Sequence, residues 1–271
     1  MTYYTSTSAL STAAAYTHSP SSSTAAVRLF SSHNNNYNSA TSKIVHFIRH
    51  AEGTHNLNEE QSKLPLHFDA TLTPRGLQQC KALAQSTVKL NVDVVLVSPL
   101  TRCLETARIS FPHLYDNNNN TDDDDGIPFI AHEEWRETVN FLCDSRRTKQ
   151  TLIERYPRVN FDGIIHDIDP IWQHYEEKFG CYQTHTTKRE SDDATALYKR
   201  SQSAWNILLS RREKNVALVG HSAFFRHNFM PYFEELQGLV EYGDEDVRGL
   251  MCSDGFENCE LRSVVVDIPQ R

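Results

Sequence analysis

Apolar residues in this chain fall into short strand-length runs separated by segments of helical period. Ile44 to Ile48 predicts a buried strand that ends in Arg49-His50. Thr73-Pro74 supplies a hydroxyl N-cap followed by proline at the first helical position, and predicts a helix to about Val88. Val92 to Val97, interrupted only by Asp93, predicts a second strand, and Ser98-Pro99 leads into a helix from about Leu100 to Ile109. Ile127 to Ala131 predicts a third strand, after which the pattern is helical or irregular to about Asp193. From Ala194 to Arg212, residues Ala194, Leu197, Ser201, Ala204, Trp205, Leu208 and Leu209 recur on one helical face. Asn215 to Val219 predicts a strand stopping at Gly220-His221, Ser222 to Leu236 a helix, and Leu261 to Ile268 a last strand. Strands alternating with helices predict a three-layer α/β/α domain around a largely parallel sheet.

Residues 1–42 carry neither periodicity. They are rich in Ser, Thr, Ala and Asn, contain no Asp or Glu and one Arg, Arg28. Such a segment buries too little apolar surface to offset its ordering entropy and predicts an unstructured tail. Its Ser-rich, acid-poor composition also fits an organelle address. The domain is then expected over residues 43–271. Net charge over the 271 residues is −8. Five of the negative charges lie in Asp116 to Asp125, inside a stretch (NNNNTDDDDG, 117–126) that predicts a solvated loop without the ligand spacing of a calcium site. There is no basic stripe, which argues against nucleic-acid or anionic-membrane partners. No run reaches the length of a membrane-spanning helix. Six cysteines without paired spacing read as reduced thiols in a cytoplasmic-type compartment. The histidines show no metal-site spacing, so no metal and no other cofactor is expected.

Ligands of open α/β sheets bind beyond the carboxyl ends of the strands. Three segments deliver reactive groups there: Arg49-His50, Arg102 within a turn of Val97, and His221. Two histidines and two arginines at one rim fit phosphoryl transfer through a covalent histidine. Neutral imidazole is a competent nucleophile near pH 7, and guanidinium forks match phosphate oxygens. A carboxylic acid at the pocket edge would supply the proton that the leaving alkoxide needs.

These residues sit in blocks that resemble the histidine phosphatases, the phosphoglycerate mutase-like proteins. The blocks are RHAEGTHN (49–56), FDATLTPRGLQQ (68–79), SPLTRCLETA (98–107), PFIA…WRE…CDSRR (128–147), VALVGHSAFFRH (216–227) and NCELRS (258–263). They occur in the family's order, and the RHAEGxHN form resembles a plant and fungal subgroup. The resemblance implies a phosphoglycerate mutase-like fold. It implies His50 as the phospho-accepting nucleophile, Arg49 and Arg102 as phosphate ligands, His221 completing the pocket and Asn56 touching substrate or phosphate. The proton donor maps to Glu137, with Glu134 as the alternative. Arg146 and Arg147 are candidate contacts for a second anionic group, or else solvated surface charge. Ala51 stands where most of the family carries Gly.

Glu52 reads as a helix-start hydrogen bonder, and Trp135, Trp172 and Trp205 as packing residues. The expected function is metal-independent hydrolysis of a small phosphorylated metabolite through phospho-His50. The alternatives are a mutase, which returns the phosphoryl group to a bound sugar acid, and a non-catalytic phospholigand-binding module. Oligomeric state and the natural substrate have no signature in the chain.

Overall fold

The computed structural model describes residues 12–15, 27–30, 42–57, 64–116, 126–183, 189–230, 240–243, 245–252 and 255–267. Its strands are β1 (Thr12–Ala15), β2 (Val27–Phe30), β3 (Lys43–Arg49), β4 (Val94–Val97), β5 (Phe129–Ala131), β6 (Val159–Asn160), β7 (Asn215–Gly220), β8 (Val240–Tyr242) and β9 (Leu261–Asp267). The helices are α1 (Pro74–Thr87), α2 (Thr101–Ser110), α3 (Pro112–Tyr115), α4 (Lys149–Arg155), α5 (Pro170–Phe179), α6 (Ala194–Ser210), α7 (Ser222–Phe229) and α8 (Glu245–Cys252). The strands form one sheet in the order β6-β5-β4-β7-β3-β9-β1-β2-β8. From β6 to β3 every pairing is parallel, and β9 runs antiparallel to β3.

Period-two burial within the central strands sets the layers. Val45 and Phe47 of β3, Val94 and Leu96 of β4, and Val216 and Leu218 of β7 point to one face. Ile48, Val95, Val97, Ala217 and Val219 point to the other. A strand buried on both faces reads as a continuous apolar run, which is why these segments were visible as such. The first face is covered by α6, α7 and α8, whose aromatic residues Trp205, Phe225 and Phe229 pack edge-on around Phe47 at 5.0 to 6.1 Å. The second is covered by α2 and α4. The architecture is therefore three-layer α/β/α, as the alternation predicts.

Local signals place α1 well: the Thr73 hydroxyl accepts from the Gly76 amide at 3.0 Å, with Pro74 at the first position. Other elements differ from expectation. Two four-residue stretches within residues 1–42 pair with the sheet. β1 runs parallel to β9 with Thr12 opposite Ser263, and β2 runs antiparallel to both, with Leu29 fully buried. The free edge of β9 offers unpaired backbone groups that any short extended segment can satisfy, and Val-Arg-Leu-Phe is such a segment. The rest of that segment and the acidic stretch 117–125 lie outside the described residues. α7 closes at Phe229 rather than Leu236; residues 231–239 are likewise outside. The irregular region before Asp193 holds α4, β6 and α5, whose start is fixed by Asp169 accepting from the Ile171 and Trp172 amides.

His46 on β3 is buried and shares a 2.7 Å hydrogen bond with Ser263 on β9, and burial pushes its imidazole down to about 4. A histidine kept neutral in the fold but free to protonate when unfolded stabilises the fold above pH 6.5, and that stability is lost as pH falls toward 4. The shift corresponds to at most about 3 kcal/mol. Urea titrations between pH 7 and pH 4 should therefore show stability falling with acidification. His46→Gln should flatten part of that slope; an unchanged slope would remove His46 from the account.

Candidate active site

The parallel register of β3 and β7 pairs Arg49 with Gly220, so the next residues on each strand, His50 and His221, emerge side by side. The His50 amide donates to the Gly220 carbonyl at 2.9 Å, and the Ser98 amide, leaving β4, donates to Val219 at 3.0 Å. The imidazole centroids of His50 and His221 are 5.1 Å apart. Gly220 has no alternative here, because a Cβ on it would lie 2.7 Å from the Phe225 ring.

Both rings are buried, and their protonation is constrained. His50 Nδ1 lies 2.7 Å from the Ala51 carbonyl oxygen, which can only accept, so Nδ1 carries the proton and Nε2 keeps its lone pair. Burial, then the Arg102 guanidinium, His55 and Arg49, hold the His50 imidazole well below the usual histidine range. His221 is held down similarly, by burial, Arg102 and His50. Its Nε2 is 2.8 Å from Ser98 Oγ and 3.3 Å from Cys103 Sγ, which fix the ring.

A cavity of about 300 Å³ opens in front of His50, lined by Arg49, His55, Asn56, Glu137, Thr138, Asn140 and their neighbours. Arg49 donates to the Phe256 carbonyl and Arg102 to the Cys143 carbonyl, each at 2.6 Å. Arg102 also meets Asp144 Oδ1 at 3.2 Å. The Nε–H groups of both arginines, together with Thr138 Oγ1, are buried without a protein partner among the described residues. Buried donors left unpaired are costly, and a bound anion would relieve those beside His50. A larger depression of about 380 Å³ beside Pro128, Arg158 and Asn160 lies at the opposite, amino ends of β5 and β6 and holds no such group.

Three consecutive side chains at the end of a short turn go three ways. Trp135 is fully buried in the aromatic core, 6.4 Å from Phe47. Arg136 is fully buried and paired with both Asp169 oxygens at 2.7 Å, Glu133 at 3.0 Å and the Asp144 carbonyl at 2.5 Å. Glu137 reaches the cavity, its Oε1 accepting from the Thr138 amide at 2.9 Å and from Phe224 in the first turn of α7 at 3.0 Å. Burial, and after it the Asp144 carboxylate, push the Glu137 carboxyl up, against Arg102 and those two amides.

Arg49, His50, Asn56 and Glu137 thus line the cavity, with Arg102 and His221 packed immediately behind. Asn56 sits at its mouth, where Oδ1 accepts from the Gly53 amide at 2.9 Å. Three other candidates are not brought there. Arg146 is buried and fully occupied: Nε meets Glu133 at 2.5 Å, and its terminal nitrogens bond to the carbonyls of Arg147, His166, Asp167 and Ile168. It is a staple for the 166–168 loop, which corrects its reading as a substrate contact. Arg147 lies over the Phe68 ring and 3.4 Å from Asp69, outside the cavity lining. Glu134 is outside the lining too, near His132.

The Ala51 methyl is buried with Leu72 and Cys80, away from the cavity, so the departure from Gly leaves the anion's approach open. Glu52 accepts from the Thr73 hydroxyl at 2.7 Å. Its carbonyl passes so close to α1 that a Cβ on Gly76 would lie 2.2 Å away. The sequence reading passed over Asp69, Ser98, Thr138 and Asp144. Asp69 accepts from the Thr101 amide at 2.8 Å and hydroxyl at 2.6 Å, anchoring the start of the helix that carries Arg102. An Asp in the FDATLTPRG block was the available signal.

A buried histidine pair flanked by arginines with unpartnered Nε–H groups makes this cavity suited to an anion. A sequence model of the histidine phosphatase superfamily (branch 1) matches residues 45–234, and the chain belongs to that superfamily. A phosphoglycerate mutase-like protein of Arabidopsis thaliana is 30% identical over 258 residues, covering 83% of this chain and 84% of that one. A probable phosphatase of Schizosaccharomyces pombe is 24% identical over 186 residues, covering 68% and 76%. The crystal structure of the alpha-ribazole phosphatase from Shigella flexneri superposes with a TM-score of 0.47 at 16% identity, covering 84% of this chain and 91% of that one.

The buried role of Arg146 is testable. Arg146→Met should destabilise the fold by about 3 kcal/mol, since it takes one of Glu133's two arginines and leaves the 166–168 carbonyls without their donor, while KM for a phosphomonoester stays within about twofold, the scale of a group that never meets substrate. A raised KM with unchanged stability would return Arg146 to the substrate site.

Proposed function

We infer that the protein is a metal-independent phosphomonoesterase working through a phosphohistidine on His50. The observation that carries this reading is the His50 geometry: Nδ1–H committed to a carbonyl, Nε2 unprotonated, and unpaired arginine N–H groups around it. Nε2 attacks phosphorus in line, forming the N–P bond as the ester P–O bond breaks. Arg49, Arg102 and His221 surround the charge spread over the phosphoryl oxygens. The departing alkoxide takes the Glu137 proton, whose retention is favoured by burial beside a second carboxylate. Water then attacks the phosphoryl group and gives its proton to Glu137. The N–P bond breaks, the lone pair returns to Nε2, and inorganic phosphate leaves. A mutase would use the same floor but must retain a bound acceptor acid. Of the two arginines expected to hold a second anion, Arg146 is spent on Glu133 and loop carbonyls and Arg147 lies against Phe68 and Asp69, which favours hydrolysis.

In excess chelator the protein should hydrolyse p-nitrophenyl phosphate, with vanadate inhibiting; activity restored only by a divalent metal would contradict the mechanism. Since His50 stays neutral well below pH 6.5 while Glu137 must stay protonated, turnover of alkyl phosphates should persist into acid and decline on the basic side. Glu137→Gln should slow alkyl esters by roughly 10²–10⁴-fold but p-nitrophenyl phosphate much less; equal slowing of both would take the donor role from Glu137.

A further inference from the structure

Asp144 enters the steps above only as the second carboxylate beside Glu137, yet it is the group on which the cavity wall converges. Its Oδ2 accepts from the backbone amides of Asn140 at 3.2 Å and Phe141 at 3.0 Å, which fixes the plane of the group. Its Oδ1 then faces the terminal nitrogen of Arg102 at 3.2 Å. Its backbone carbonyl is held by Arg136, which is itself pinned by Asp169 and Glu133. The neighbouring Cys143 carbonyl takes the other Arg102 nitrogen at 2.6 Å. The turn 142–144 is thus a rigid bracket for one guanidinium, built on a buried ion network.

We propose that Asp144 is a positioning residue: it holds the Arg102 guanidinium beside His50 and sets the charge environment of the Glu137 carboxyl across the cavity. The proposal rests on the reading of Glu137 as proton donor.

The Arg102 contact with Asp144 is single and long, so a phosphoryl dianion competes for the same guanidinium without the arginine having to be ordered anew. The second effect is electrostatic. Glu137 is faced by Asp144 from the 142–144 turn, Arg102 and Cys103 from α2, Arg49 from β3, and Cys143. Asp144 is the only carboxylate in that set, and its charge beside the same cavity adds to burial in pushing the Glu137 carboxyl up. As a phosphoryl group draws the arginines toward itself, Asp144 keeps Glu137 in the acid form that the leaving group needs.

The test is the pH dependence of kcat on an alkyl phosphate for the wild type, Asp144→Asn, Asp144→Ala, Asp144→Glu and Glu137→Gln, together with vanadate affinity. Removing the charge should move the basic limb down by about one pH unit and weaken vanadate binding about tenfold or more through the loosened arginine. Asp144→Glu should restore the wild-type limb. Asn and Ala are independent neutral replacements, so either one recovered with a cooperative thermal transition carries the test. A merely structural Asp144 would lower kcat at every pH and leave the limb in place, and that result overturns the proposal. Glu137→Gln should abolish the limb. If the limb survives in Glu137→Gln, the donor assignment fails and the proposal falls with it. If it vanishes there but stays put in both neutral Asp144 variants, only the proposal fails.

Discussion

An imidazole buried against two guanidinium groups cannot easily take a proton, and the site is arranged around that constraint. Burial removes the water that would solvate an imidazolium at position 50, and Arg49 and Arg102 add repulsion. The ring is left neutral, with the Ala51 carbonyl selecting which nitrogen carries the hydrogen. The same cationic surroundings that forbid a positive nucleophile favour a negative electrophile. Under the proposed mechanism, phosphate recognition and nucleophile activation are two consequences of one charge distribution.

That distribution needs fixed arginines, and the fold fixes them at two levels. The sheet register brings Arg49 to Gly220, which places the histidines together. Arg102 depends on a different layer: Asp69 anchors the start of its helix, while the 142–144 turn grips its head. Behind that turn the buried Arg136, Arg146 and Asp169 meet a partly exposed Glu133, two cations and two anions in one cluster. Desolvation cancels much of the Coulombic gain in such a cluster, so its contribution is geometric more than energetic. It holds the WRE segment and the CDSRR turn in one relative position, and with them Glu137 in the cavity lining and the bracket that grips Arg102 behind it.

The parts legible in the sequence were those governed by short-range pattern. Fully buried parallel strands show as apolar runs, their carboxyl ends mark the rim, and the residues following β3 and β7 gave both histidines. The proline-capped start of α1 was equally local. What the pattern could not convey was pairing over distance. Arg146 looked like half of an exposed basic pair because its partners, Glu133 and the carbonyls of 166–168, lie 13 to 22 residues away. Asp144 was passed over for the same reason, since its meaning comes from Arg102 more than 40 residues earlier. β1 and β2 were missed because an edge strand is selected by the backbone groups it satisfies more than by its own composition.

The central claim is that His50 Nε2 carries the phosphoryl group during turnover. The direct measurement is a single turnover quenched in base, followed by phosphorus–nitrogen NMR correlation on ring-labelled protein. The account predicts one adduct on the Nε2 atom of His50, stable to base, lost in mild acid and absent from His50→Ala. An adduct on Nδ1, on any other residue, or a burst of product with no adduct at all would contradict it.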